Sequence, residues 1–85
     1  MPYELVYTRR ACRDIDKLDL AVKRRLKTAL ERLALAPFVH SERLRNPALG
    51  SFRMRTGDYR VVFDIEGNDI VILRVGHRRE IYRQL

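Results

Sequence analysis

Little in this sequence could staple or anchor a small protein. One cysteine, Cys12, stands among 85 residues. A single thiol excludes an internal disulfide framework and a cysteine-rich zinc site, and it suits a reducing cytosol. No neighbouring group marks Cys12 as a nucleophile, so it reads as a small helix residue. The two histidines, His40 and His77, are far apart, and no metal-ligand spacing recurs. No apolar run approaches the ~20 residues of a membrane span. The N-terminal stretch has no signal-peptide core, so the chain is expected in the cytoplasm, away from membranes. Repeats and low-complexity linkers are missing too. The expectation is one domain over residues 1–85. A domain of this size buries only ~60 % of its unfolded surface, which leaves its stability marginal without a partner.

What the chain does have is positive charge. Net charge is +7 and the pI is near 10.3, a balance that favours nucleic acid or an acidic protein partner. Residues 1–46 carry 11 Lys/Arg against 6 Asp/Glu, and residues 47–85 carry 7 against 5. The larger excess therefore lies in the first half. Apolar residues make up 46 % of the chain, too many for a disordered tail.

Residues 3–7 (Tyr-Glu-Leu-Val-Tyr) are rich in strand formers and predict a short strand. Thr8 can cap a helix that begins just beyond it. Apolar residues then fall at Ala11, Ile15, Leu18, Val22, Leu26, Ala29, Leu30 and Leu33, the three- and four-residue spacing of a helical stripe. The phase breaks near Asp19, itself a good N-cap, so two helices meeting there are expected. The second must stop before Pro37. Lys23, Arg24, Arg25 and Lys27 fall mostly off the stripe. They are either a solvated face or a patch that contacts phosphates of folded RNA or the ribosome. Residues 37–50 hold two prolines and a glycine and read as a loop, with room for one helical turn.

Three strands come next, near 51–56, 59–65 and 70–76. Gly57-Asp58 suits a two-residue type II′ hairpin turn. That turn pairs Thr56 with Tyr59, Arg55 with Arg60, Met54 with Val61 and Phe52 with Phe63. The apolar pairs then share one face, and a slip by one residue would drive arginines into the core. Arg53, Arg55, Arg60, Val62 and Asp64 take the other face. Arg55 and Arg60 are set directly opposite each other, which is destabilising for like charges. The functional reading is a cationic basin waiting for an anion, since the guanidinium fork binds phosphate bidentately and keeps its charge. For the last strand, a two-residue Gly67-Asn68 turn would bring Ile70 and Ile72 inward. A three-residue Gly67-Asn68-Asp69 loop would bring Val71, Leu73 and Val75 inward instead. The second is preferred because it keeps Arg74 out of the core. It also sets Gly76 opposite Arg60, as an open floor beside the arginines. Beyond it, His77 could titrate near neutral pH and Tyr82 could stack on a base.

The order of elements, with Arg-x-Gly-Asp-Tyr-Arg-Val-Val-Phe at 55–63 and Val-Gly-His-Arg-x-x-Ile-Tyr at 75–82, resembles the RelE/ParE toxin superfamily. The resemblance runs over nearly the whole chain. It implies an α+β fold: an N-terminal strand, an αα-hairpin, and an antiparallel three-stranded meander packed on the helices. It also implies a type II toxin–antitoxin toxin with an acidic antitoxin partner, and no cofactor, metal or small-molecule ligand.

In the ribonuclease branch such toxins cut mRNA on the ribosome by attack of a 2′-hydroxyl on the adjacent phosphate. By resemblance, the catalytic group falls on Arg53, Arg55, Arg60, Arg78 and Tyr82. The best-known members carry lysines where this chain has Arg53 and Arg55. Arginine is a poor base, so the proton acceptor would be His77, Glu80 or nothing beyond the ribosomal RNA. Two alternatives share the fold: a ParE-like inhibitor of DNA gyrase without nuclease chemistry, and an inactive antitoxin-binding module.

Overall fold

A computed structural model of the chain describes residues 2–45 and 49–81. Two helices lie on one face of a five-stranded sheet. In chain order the elements are β1 (Glu4–Tyr7), α1 (Arg9–Asp16), α2 (Leu20–Leu35), β2 (Glu42–Arg43), β3 (Phe52–Thr56), β4 (Tyr59–Glu66) and β5 (Asp69–His77). The sheet order is β1-β5-β4-β3-β2. β1 pairs with β5 in parallel and the other pairs are antiparallel. The α+β class is as expected, with one more strand than expected: β2, two residues long, on the far edge.

Local chemistry sets the helix boundaries. The Thr8 hydroxyl oxygen accepts from the Ala11 N–H at 3.1 Å and caps α1. The same hydroxyl donates to the Ile72 carbonyl at 2.9 Å, so the cap also ties α1 to β5. Asp19 Oδ1 accepts from the Val22 N–H at 3.0 Å and caps α2. Each such cap stabilises a helix by about 1 kcal/mol. α2 stops at Leu35, just short of Pro37, whose ring disfavours helical backbone in the residue before it.

The helical stripe and the inward faces of the strands meet in one core. Ala11, Leu26, Leu30 and Leu33 pack against Met54, Val61, Phe63, Ile70, Ile72 and Val75. Phe63, Leu33, Ile70 and Ile72 are completely buried, and each contributes about 2 kcal/mol of burial free energy.

The last strand departs from expectation. Its turn is the two-residue one: Glu66 pairs with Asp69 and Ile65 with Ile70. Ile70 and Ile72 are therefore inward. A β-bulge then shifts the register, because Phe63 pairs with Ile72 while Val62 pairs with Arg74, leaving Leu73 as the extra residue. The shift returns Val75 to the core face. Strict alternation allows only one of the two apolar sets, and the bulge adds Val75 of the second set to Ile70 and Ile72 of the first. Arg74 is buried, with 9 % of its surface exposed, instead of being kept out. Its Nε donates to Asp14 Oδ2 of α1 at 2.9 Å, and the Val75 N–H reaches the same oxygen at 3.0 Å.

Val62 has the outward phase of the arginines but is completely buried. The chain entering β3 lies over it. Gly50 has φ +138°, and a Cβ there would stand 2.6 Å from Val62 and 3.0 Å from Leu73, so only glycine lets the loop close this far. The adjacent Ser51 N–H donates to the Asp64 carboxylate at 2.8 Å.

Candidate functional site

The β3–β4 hairpin has the register read from the sequence, pair for pair: Thr56 with Tyr59, Arg55 with Arg60, Met54 with Val61 and Phe52 with Phe63. Gly57 has φ +59°, and no described non-glycine residue has positive φ. Positive φ at the first central position alone is the type II′ pattern. Arg53, Arg55 and Arg60 consequently share the sheet face turned away from the helices.

The opposed Arg55 and Arg60 side chains diverge. Arg60 folds back over the turn, and its Nη1 donates to the Gly57 and Tyr59 carbonyls, both at 2.9 Å. Arg55 leans the other way, with its Nε 3.6 Å from Glu42 Oε1. The like-charge conflict is relieved by acceptors on either side.

Glu42 is the residue that sequence reasoning missed. It stands on β2 directly opposite Arg53, so the strand register puts its side chain on the arginine face. Its Oε2 accepts from Arg53 Nη2 at 2.9 Å. That hydrogen bond, followed by the charge of Arg55 and a smaller pull from Arg60, holds the carboxyl below the ordinary glutamate range. A pocket of about 210 Å³ opens here between Arg53 and Arg55 on one side and the segment Val39, His40, Ser41 and Glu42 on the other. The only prior signal for this arrangement was a lone acid in a proline-bounded loop.

Arg78 gathers at the same hairpin turn as Arg60. Its N–H donates to the Asp58 carbonyl at 2.7 Å, and its Nε lies 3.6 Å from the Asp58 carboxylate. Both side chains are more than half exposed, so this ion pair is worth at most about 1 kcal/mol and leaves Arg78 able to exchange partners.

His77 lies elsewhere. It pairs with Tyr59, one step out of phase with Arg60, and the two rings meet edge to face at 5.5 Å. With Asp14, Lys17 and Glu80 they line a separate cleft of about 260 Å³. His77 Nδ1 accepts from the Arg79 N–H at 3.2 Å, which leaves the proton of the neutral ring on Nε2. Neither His77 nor Glu80 lines the arginine pocket.

The expected open floor at Gly76 is filled. Gly76 does pair with Arg60, but Ile81 sits 3.4 Å from where its Cβ would be, and Ile81 is 1 % exposed. Tyr82 lies outside the described residues.

Arg24, Arg25 and Lys27 are exposed on α2, on the helix side of the sheet, and Lys23 is half-buried. They are not brought together with the arginine face. Lys23, Lys27 and Glu31 rim an apolar groove of about 350 Å³ floored by Leu5, Tyr7, Ile15, Leu26 and Leu30, beside the open edge of β1. Among the described residues no cluster of side chains could hold a metal ion, and no helix is long and apolar enough to cross a membrane.

Known proteins resemble this chain in fold and in sequence. A family model described as the ParE toxin of type II toxin–antitoxin systems matches residues 5–82. Toxin RelG of Mycobacterium tuberculosis is 37 % identical over 99 % of this chain and 100 % of its own length. The toxin–antitoxin complex RelBE2 of the same organism contains a chain that matches at 33 % identity with a TM-score of 0.81, covering 92 % of this chain and 100 % of that one. In the intact RelBE complex of Escherichia coli a chain matches at 22 % identity with a TM-score of 0.76, over 88 % of this chain and 95 % of that one, a likeness of fold.

Proposed function

The chain belongs to the RelE/ParE superfamily of type II toxin–antitoxin toxins, and from that premise we propose that it is a ribosome-dependent endoribonuclease that cuts mRNA and stops translation. The observation that carries this reading is the open face shared by Arg53, Arg55 and Arg60, with Glu42 bonded to Arg53 and 3.6 Å from Arg55. Cleavage by a 2′-hydroxyl builds negative charge on the equatorial oxygens of phosphorus. Preorganised guanidinium donors are the side chains best suited to stabilise that charge. On this reading Arg55 and Arg53 would hold the phosphate, and Arg60 would leave the turn carbonyls to join them. Arg78, loosely held on Asp58, can swing to the leaving oxygen. Tyr82 would stack on a neighbouring base, and His77 would work at the separate cleft by the tail. Arg24, Arg25 and Lys27 would meet ribosomal RNA on the other side of the molecule.

An acidic antitoxin is the expected partner in the cytoplasm. The matching RelBE2 and RelBE structures are complexes of toxin with antitoxin. On this chain an acidic extended segment could lie along the open edge of β1, its apolar side chains in the groove and its carboxylates near Lys23 and Lys27. Burial of that groove would add the stability that a core of this size lacks.

The test is direct. Purified protein is added to translating ribosomes, and mRNA ends are mapped by primer extension. Defined cuts are expected, with 5′-hydroxyl ends, and intact message at growth-arresting concentrations would refute the reading. A second reading, inhibition of DNA gyrase by binding, is favoured by the ParE description of the matching family model. A supercoiling assay in which gyrase is blocked while mRNA stays whole would establish it instead.

A further inference from the structure

We infer that Val39 and His40 form a seat for an unpaired nucleobase of the RNA, an assignment that rests on the RNA-cutting reading above. The pocket beside the arginines has two unlike walls. Arg53 and Arg55 of β3 make one of them cationic. Val39 and His40, from the segment between α2 and β2, make the other apolar and aromatic. A lone phosphate would use only the first wall. A nucleotide uses both, because its phosphate and its flat base hang from one sugar.

The segment is rich in exposed apolar groups. Leu35, Phe38 and Val39 are 70 %, 62 % and 77 % exposed, three large apolar side chains within five positions. Single exposed apolar residues are ordinary, but a group of them at the rim of a charged pocket marks a binding surface. The segment is also held in place before anything binds. The Val39 and His40 N–H groups both donate to the Ala36 carbonyl, at 3.2 and 3.3 Å. The Ser41 hydroxyl donates to the Pro37 carbonyl at 2.6 Å. The Phe38 ring meets Phe52 edge to face at 5.8 Å, and Phe52 stacks on the buried Phe63 at 5.6 Å. Phe38 is thus the anchor, and Val39 and His40 are the surface it presents. A preset wall loses little freedom on binding, so more of its contact energy reaches affinity.

The imidazole of His40 offers a flat face on which any base can stack, with the Val39 methyls beside it. Such stacking tolerates sequence, so the seat adds affinity and alignment and imposes no strict code. With the base seated there, the phosphate joined to it points at Arg53 and Arg55. The rival occupant, an acidic segment of a protein partner with an apolar neighbour, would make no difference to how RNA is cut.

Synthetic messages test this, carrying an abasic nucleotide on one side of the cut, on the other side, or nowhere. Their cleavage on programmed ribosomes is compared for wild type and for Val39→Ser with His40→Ala, with circular dichroism on the same samples. Wild type is expected to lose about tenfold or more in kcat/KM on one of the two abasic messages, the size of one base–aromatic stack. The double variant is expected to lose a similar factor on the intact message and nothing further on that abasic one, since the same contact is already gone. His40→Ala alone carries the same comparison, at smaller size, should the double variant lose its fold. His40→Phe keeps a flat face and has no ring nitrogen, so it is expected to retain most of the rate, which separates stacking from proton transfer. The absence of any abasic effect, losses that multiply, or a double variant as fast as wild type on the intact message would overturn the assignment and leave the RNA-cutting reading standing. Wild-type protein that leaves intact message whole would end both.

Discussion

Asp14 and Glu42 each bond an arginine at 2.9 Å, yet one carboxylate is sealed and the other is open. The Asp14 and Arg74 side chains are only 10 % and 11 % exposed, and Asp14 Oδ2 also receives the Val75 N–H. That pair joins α1 to the sheet, and Asp14 also meets Arg10 at 3.7 Å, so loss of Asp14 removes the carboxylate that Arg74 bonds. Glu42 is 54 % exposed, its 2.9 Å partner Arg53 is 24 % exposed and its 3.6 Å partner Arg55 is 56 % exposed, so guanidinium groups outnumber it. Similar contacts therefore serve different ends. Burial with full satisfaction makes a clamp, whereas exposure with surplus charge makes a site that can change partners.

The sharpest way to break that comparison is at Asp14. Asp14→Ala strands the Arg74 guanidinium, and a loss of about 3 kcal/mol in urea unfolding is expected. Replacing both, Asp14→Leu with Arg74→Met, should recover most of that loss, because it is the unpaired charge that costs. A single variant as stable as wild type would mean the pair clamps nothing.

Next in size is the open site. Arg55→Ala and Arg60→Ala should each slow mRNA cleavage by about 100-fold, the effect of removing one preorganised donor to a developing anion. The urea midpoint of Arg55→Ala should hardly move, because its ion pair is exposed. Arg60→Ala also loses two bonds to turn carbonyls, so a small fall in stability is expected there. Equal loss of folding and cleavage at Arg55 would erase the distinction between the two pairings.

The smallest effect belongs to the helix side. Arg24→Ala with Arg25→Ala should reduce the salt dependence of ribosome binding by about one to two phosphate contacts, with the cleavage rate of bound complexes unchanged. A salt titration identical to wild type would show that this face is solvated surface.

Much of the fold was legible because it depends on short-range rules. The Thr8 and Asp19 caps bond backbone groups three residues on, and the helical stripe arises from the helical period alone. The β3–β4 register came out pair for pair because its turn is two residues long and a slip would bury arginine. Most of the failures share a cause, the exception being the local Gly67-Asn68 turn at the entry to β5. The bulge at Leu73, the burial of Val62 under Gly50 and the packing of Ile81 on Gly76 each depend on how separate segments pack together. Alternation along one strand cannot report a bulge that lets Ile70, Ile72 and Val75 all point inward.

The same division runs through the candidate site. The sequence by itself determined the cationic half, because a two-residue turn and period-two alternation leave Arg53, Arg55 and Arg60 one shared face. The tertiary structure decided the acidic half. Glu42 precedes Arg53 by eleven residues. Only the return of β2 along the free edge of β3 turns that separation into a hydrogen bond. The same packing groups His77 with Tyr59, Asp14 and Glu80 instead of with the arginines. A local turn needs only its own residues to define it, while an edge strand of two residues has too little pattern to announce where it will pair.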